Sequence, residues 1–123
     1  MDRKLRPLER VRQGGEYRLI LKSGKCFRDP ILRIHFRENG RDLPRLGLVV
    51  SRKVGNAVTR NRLKRICRAI FREVKGRLPS PIDLVVIPNP QAGPRDHKAY
   101  AEVFERFIEW TRSRGPVAPG GKS

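Results

Sequence analysis

Acidic residues are scarce in this chain. Its 123 residues carry 12 aspartates and glutamates against 29 lysines and arginines, a formal net charge of +17. Cysteine is rarer still: Cys26 and Cys67 lie far apart with no CxxC partner, which excludes a zinc ribbon or a disulfide framework and leaves two reduced thiols packing as small hydrophobes. No apolar run approaches the ~20 residues of a membrane-spanning helix; the best are LGLVV and LVVI. The opening MDRKLRPLERVRQGG lacks the apolar centre of a secretory signal, so the reading places the chain in the cytoplasm with no membrane partner. Histidine is limited to His35 and His97, and acids such as Asp29, Asp42 and Asp83 are scattered among loops and strand ends. A nuclease cutting by itself would gather such groups in a cleft. No catalytic and no metal-binding residue is assigned.

What the chain does have is positive charge on a foldable framework, with 37% hydrophobic residues. Its length suits one domain with a modest core. Self-repulsion of this size raises the energy of the compact state unless a polyanion neutralises it, and nucleic acid is the polyanion that a basic, soluble domain points to.

Residues 1–13 form a basic segment and residues 114–123 a glycine- and proline-rich tail, both expected to be flexible around an RNA-binding domain at 14–113. In GEYRLILKSG, Tyr17, Ile20 and Leu21 at helical spacing predict a short helix closed by Gly24. In ILRIHFR, Leu32, Ile34 and Phe36 alternate with Arg33, His35 and Arg37, the pattern of a strand with one core face and one cationic face. RLGLVVS and IDLVVIP are apolar on both faces, as central strands are. Between them Leu63, Ile66, Cys67, Ile70, Phe71 and Val74 predict an amphipathic helix from Ala57 to Lys75, with Gly76 as its stop. A last helix is expected from about His97 to Arg112, capped by Asp96, with Tyr100, Val103, Phe104, Phe107, Ile108 and Thr111 facing inward. The order is helix, two or three strands, helix, strand, helix, which makes an α+β sandwich of helices on one mixed sheet with a βαβ unit from 46 to 87.

The helix at 57–75 carries the functional signal. Opposite its apolar stripe fall Asn61, Arg62, Lys64, Arg65, Arg68, Arg72 and Lys75, with Arg60 on the flank, and Glu73 is the only acid from Lys53 to Lys75. A helix exterior that served solubility alone would mix signs. Cations in the first turns also oppose the positive end of the helix dipole, at a few tenths of a kcal/mol each by rough estimate. A phosphate bound there would gain from dipole and arginines together. Gly55 permits a positive φ or a close backbone approach, and Asn56 is suited to cap the free N–H groups; a turn and a cap account for both.

The stretch SRKVGNAVTRNRLKRICRAIFRE, centred on the RNR triplet at 60–62, resembles the signature of the bacterial ribonuclease P protein subunit. The match takes in the glycine and asparagine before the helix, the triplet, Lys64, Arg65 and Arg68 at unbroken spacing, and extends more weakly over residues 14–112 through element order. The resemblance implies an RNA-binding cofactor that joins a large catalytic RNA and helps it remove the 5′ leader of precursor tRNA. In that family the chemistry belongs to magnesium ions bound by the RNA, so the protein alone is expected to hold no cofactor and to need no obligate protein partner. It also implies a four-stranded α-β-β-β-α-β-α fold, ribosomal-protein-like, with a left-handed βαβ crossover against the usual rule. Carried over by motif, Arg52, Lys53, Asn56, Arg60, Asn61, Arg62, Lys64, Arg65 and Arg68 would contact the catalytic RNA or lie beside it. The family's leader cleft, between first helix and central sheet, would fall on Tyr17 and Leu21, with Arg33 and His35 on the exposed strand face. Leu21 departs from the family's aromatic pattern and offers apolar contact only; for His35 an ordinary surface histidine is the competing reading. The alternative function is a ribosomal or other structured-RNA-binding protein with no part in tRNA processing, which accounts for the charge and not for the motif spacing.

Overall fold

The structure, a computed structural model, describes residues 10, 11 and 14–114. Elements run α1 (Gly14–Ser23), β1 (Lys25–Arg28), β2 (Leu32–Glu38), β3 (Arg45–Leu48), α2 (Ala57–Val74), β4 (Ile82–Pro88) and α3 (His97–Arg114), with short 3-10 turns at Arg52–Val54, Lys75–Arg77 and Pro90–Ala92. The sheet order is β1-β2-β4-β3. β1, β2 and β4 pair antiparallel, while β3 and β4, joined through α2, pair parallel. The fold is therefore α+β with a mixed four-stranded sheet and three helices.

Period-two alternation sorts the sheet into two faces. Leu32, Ile34 and Phe36 of β2 and Ile82, Leu84 and Val86 of β4 are sealed beneath α2 and α3. The intervening Val85 and Ile87 point the other way, into a smaller cluster with Ile20 and Tyr17 of α1 and with Val11. Helices α2 and α3 thus make the main layer on the sheet, and α1 crosses part of its opposite face. The stripe expected on α3 is buried throughout, and Asp96 accepts a hydrogen bond from the Ala99 N–H at 3.0 Å, as its capping role requires.

Four details differ from the sequence reading. RLGLVVS was expected to be a central strand, yet β3 is the edge of the ladder. Its apolar character has another cause: α2 covers one face, Tyr17 of α1 covers Gly47 on the other, and the outer edge bridges Arg10. Arg10 and Val11 fall in the segment expected to be flexible, but Val11 is buried and its N–H donates to the Leu46 carbonyl at 3.1 Å; the rest of 1–13 and the tail from 115 on lie outside the described residues. Helix α2 ends at Val74 by tightening into a 3-10 turn in which Gly76 keeps an ordinary φ, so no left-handed cap forms there. Finally, the expectation of two or three strands left β1 unlocated; it docks through Phe27, whose ring lies 5.6 Å from Phe107 and 5.4 Å from Trp110.

An ionic clamp fixes α1 to the sheet. Arg45, 7% exposed, donates through Nε and Nη2 to the two Asp83 carboxylate oxygens at 2.8 and 2.7 Å, and through Nη1 to Glu16 of α1 at 3.1 Å. Asn39 donates a further bond to Asp83 at 2.9 Å. A buried carboxylate and guanidinium in bidentate register satisfy one another, and the pair holds the start of α1 above β3 and β4.

Candidate nucleic-acid interface

Local chemistry sets the start of α2. Ser51 opens the turn at Arg52–Val54 by accepting from the Lys53 N–H at 3.1 Å, which leaves Arg52 and Lys53 exposed while Val54 enters the core. Asn56 is the N-cap: its Oδ1 accepts from the Thr59 N–H at 2.9 Å. Gly55 is extended (φ 163°), so a positive φ is not what it supplies. Close approach is, since a Cβ there would lie 3.0 Å from the Thr59 methyl. Arg60 folds back to donate from Nε to the Gly55 carbonyl at 3.1 Å, locking cap and first turn together.

The expected ridge sits on the outer side of α2. Arg52, Lys53, Asn56, Asn61, Arg62 and Arg65 are exposed, and Arg60, Lys64 and Arg68 are half-buried. Among the described residues, Arg52, Lys53, Arg62, Lys64 and Arg65 form no ion pair with an acid. The first turn of α2 carries no acid either, so its dipole and side chains present one sign of potential. Val58, 76% exposed in that turn, adds an apolar point that sequence patterning did not single out.

The second group lies on the sheet face crossed by α1. Register brings Cys26, His35, Val85 and Gly47 into one row across the four strands, and Arg28, Arg33 and Ile87 into the next. Tyr17 rests over Gly47 so closely that a Cβ there would fall 2.7 Å from the ring. The glycine is what lets α1 settle onto β3. Leu21, one turn further on the same side of α1, is 39% exposed. Tyr17, Arg33 and His35 thus share one sheet face, and Arg28 joins them.

Charge on this face is uneven. Burial, with Arg33 and Arg28 nearby, lowers the pKa of His35 below its usual value, so the ring is neutral at pH 7. Its Nε2 lies 3.7 Å from the Cys26 sulfur. Positive charge there comes from the two arginines, and His35 offers a ring face and a hydrogen-bonding nitrogen. Burial pushes the Cys67 thiol up to about 12, which keeps it protonated and inert. Among the described residues no group of three or more His, Cys, Asp or Glu could hold a metal ion, and no helix is long and apolar enough to cross a membrane.

Of the second group, Tyr17 reaches the ridge: in a cavity of about 210 Å³ Tyr17 of α1 lies with Lys64 and Arg68 of α2, while Arg33 and His35 on β2 do not line it. The fold thus brings Tyr17 beside ridge residues that lie 47 and more positions further along the chain, Lys64 and Arg68.

Comparison with known proteins agrees with this architecture. The family model described as Ribonuclease P matches residues 5–111. The Ribonuclease P protein component of Thermotoga maritima is 45% identical over 103 residues, covering 84% of this chain and 81% of the relative. The solved RNase P protein from Thermotoga maritima superposes with a TM-score of 0.75 at 38% identity, covering 84% of this chain and 97% of that one. The Staphylococcus aureus RNase P protein gives a TM-score of 0.75 at 27% identity, with 83% and 94% covered. With a family match across nearly all of the folded region and relatives aligned over most of their own length, the chain belongs to the ribonuclease P protein family.

Proposed function

We propose that this chain is the protein cofactor of a ribonuclease P ribonucleoprotein, binding the catalytic RNA through the α2 ridge and the 5′ leader of precursor tRNA through the face crossed by α1. The observation that carries this reading is the arrangement just described: a cationic ridge whose Arg52, Lys53, Arg62, Lys64 and Arg65 pair with no acid among the described residues, and beside it a cavity where Lys64 and Arg68 meet Tyr17 of the helix that crosses the basic sheet face. A structured RNA presents phosphates in fixed array, which suits the planar forks of Arg52, Arg60, Arg62, Arg65 and Arg68, supported by Lys53, Lys64, Asn56 and Asn61. A single strand presents bases as well as phosphates. Tyr17 offers a stacking surface worth about 1–3 kcal/mol per base, Leu21 an apolar contact, and Arg33 a phosphate partner. His35, neutral, adds a hydrogen bond or ring contact. Stacking of this kind tolerates sequence, which fits a subunit that serves many precursors.

Hydrolysis of the leader is assigned to magnesium ions bound by the RNA, which supply the activated water and charge stabilisation. The described side chains gather no donor set for such an ion. The chain's own work is to hold the leader and to screen RNA phosphates from one another. Reconstitution tests this. Purified protein and a transcribed bacterial ribonuclease P RNA are mixed with precursor tRNA at low magnesium, where the protein is expected to raise cleavage. Cleavage by protein alone, or no change when protein joins the RNA, would refute the proposal.

A further inference from the structure

The cavity between α1 and α2 contains a residue that the motif did not reach. Arg10 lines it together with Tyr17, Lys64 and Arg68, giving three cations. The remaining described walls, Val11, Leu46 and Leu48, are apolar, so no acid lines the site among the described residues. Arg10 is held in place by the backbone: it bridges Leu46 at the β3 edge, and Val11 beside it is buried. Its Nε is occluded from solvent yet finds no acceptor among the described residues. Burial and the nearby Arg10 charge lower the pKa of Arg68, showing how close the two guanidiniums lie.

A buried, unpaired N–H donor beside a second guanidinium is costly in the free protein. The cavity on the other side of α1 makes the contrast, because its arginines share it with Glu16, Glu38 and Asp83. From these observations we infer that Arg10, Lys64 and Arg68 form a phosphodiester-binding pocket, with Tyr17 flanking the attached nucleotide and Arg10 as its missing member. The pocket has the size and wall chemistry for one backbone phosphate with its ribose against the apolar side. It rests on the reading of this chain as an RNA-binding subunit and deepens it, placing one nucleotide at the junction of the two surfaces.

The test uses the full-length protein and two probes: a single-stranded pentaribonucleotide, and a transcribed ribonuclease P RNA, each titrated over a range of salt. Arg10→Ala is expected to lower the magnitude of the salt slope by about 0.7, and so to weaken binding about four-fold at 0.15 M salt. Arg10→Lys, which keeps the charge, should restore the slope. Arg77→Ala, whose guanidinium is held by Glu105 at 2.7 and 2.9 Å, should leave it unchanged. A loss with the pentaribonucleotide alone assigns the phosphate to a single strand, and a loss with the structured RNA alone assigns it to that RNA. An unchanged slope for Arg10→Ala with both probes overturns the pocket, even if the wild-type protein promotes cleavage. Failure to promote cleavage would sink the proposed function and leave the slope comparison standing.

Discussion

Adding one methyl group at Gly47 should damage leader binding without replacing any RNA-facing side chain. A Cβ built there lies 2.7 Å from Tyr17 Cε1, 2.8 Å from its hydroxyl oxygen and 2.9 Å from Cζ. Ordinary carbon contacts begin near 3.5 Å, so the ring must withdraw by roughly 0.7 Å or more. The strand cannot give instead, because Gly47 is paired with Val85, which is fully buried in the centre of the sheet. Displacing the ring puts its stacking at risk, about 1–3 kcal/mol, or a loss of roughly 5- to 160-fold in affinity for leader-bearing precursor. Mature tRNA should be bound nearly as before. The decisive form is a double-mutant cycle, measured as holoenzyme affinity for precursor against mature tRNA. Tyr17→Ala alone should reproduce the leader-specific loss. Gly47→Ala in that background should then be almost neutral, since the ring it collides with is gone. Additive losses, or equal losses on precursor and mature tRNA, would refute a leader-binding role for Tyr17 and return the contact to packing.

Three further outcomes are expected. Arg65→Ala should weaken binding to the catalytic RNA and lower the salt slope by about 0.7–0.9, one phosphate contact, and an unchanged slope would remove Arg65 from the interface. Asp83→Ala takes the bidentate partner from the buried Arg45 and leaves it Glu16 alone, at 3.1 Å, which should cost about 3 kcal/mol of stability, read as a fall in Tm of more than about 10 °C in a thermal melt; a fall of a degree or two would show that the clamp is dispensable. His35 has a depressed pKa in the folded state, so its neutral form favours folding above the unfolded pKa near 6.5, and that contribution is lost as pH falls through the lower folded value. Stability should therefore drop on acidification from pH 7 toward 5, and His35→Gln should flatten that part of the profile measured by denaturant unfolding.

Long-period patterns were readable from the sequence, and pairwise contacts between distant residues were not. Helices α2 and α3 and strand β4 announce themselves because their apolar residues repeat over seven or more positions. Strand β1 has four residues, of which only Phe27 packs against the core, so it offers no period to detect. The edge position of β3 was hidden because burial reads the same whether a strand is covered by neighbouring strands or, as here, by Tyr17, α2 and the Arg10–Val11 segment. The ridge was legible from charge placement in α2 and from the RNR spacing. Arg10 was passed over as one of several basic residues in an unpatterned segment; its value comes from a contact with Arg68, 58 positions away, that only the fold creates. The same holds for Arg45 and Asp83, whose separation of 38 leaves no local trace.

Crosslinking within the reconstituted holoenzyme tests most directly the division of the protein into two surfaces for two RNAs. Precursor tRNA carrying 4-thiouridine along its leader is irradiated in the complex and the modified peptides are mapped. Crosslinks are expected on Tyr17, Leu21 and the Arg28–His35 strands, the face crossed by α1. Crosslinks falling instead on the exposed ridge at Arg62 and Arg65, or on α3, would contradict it.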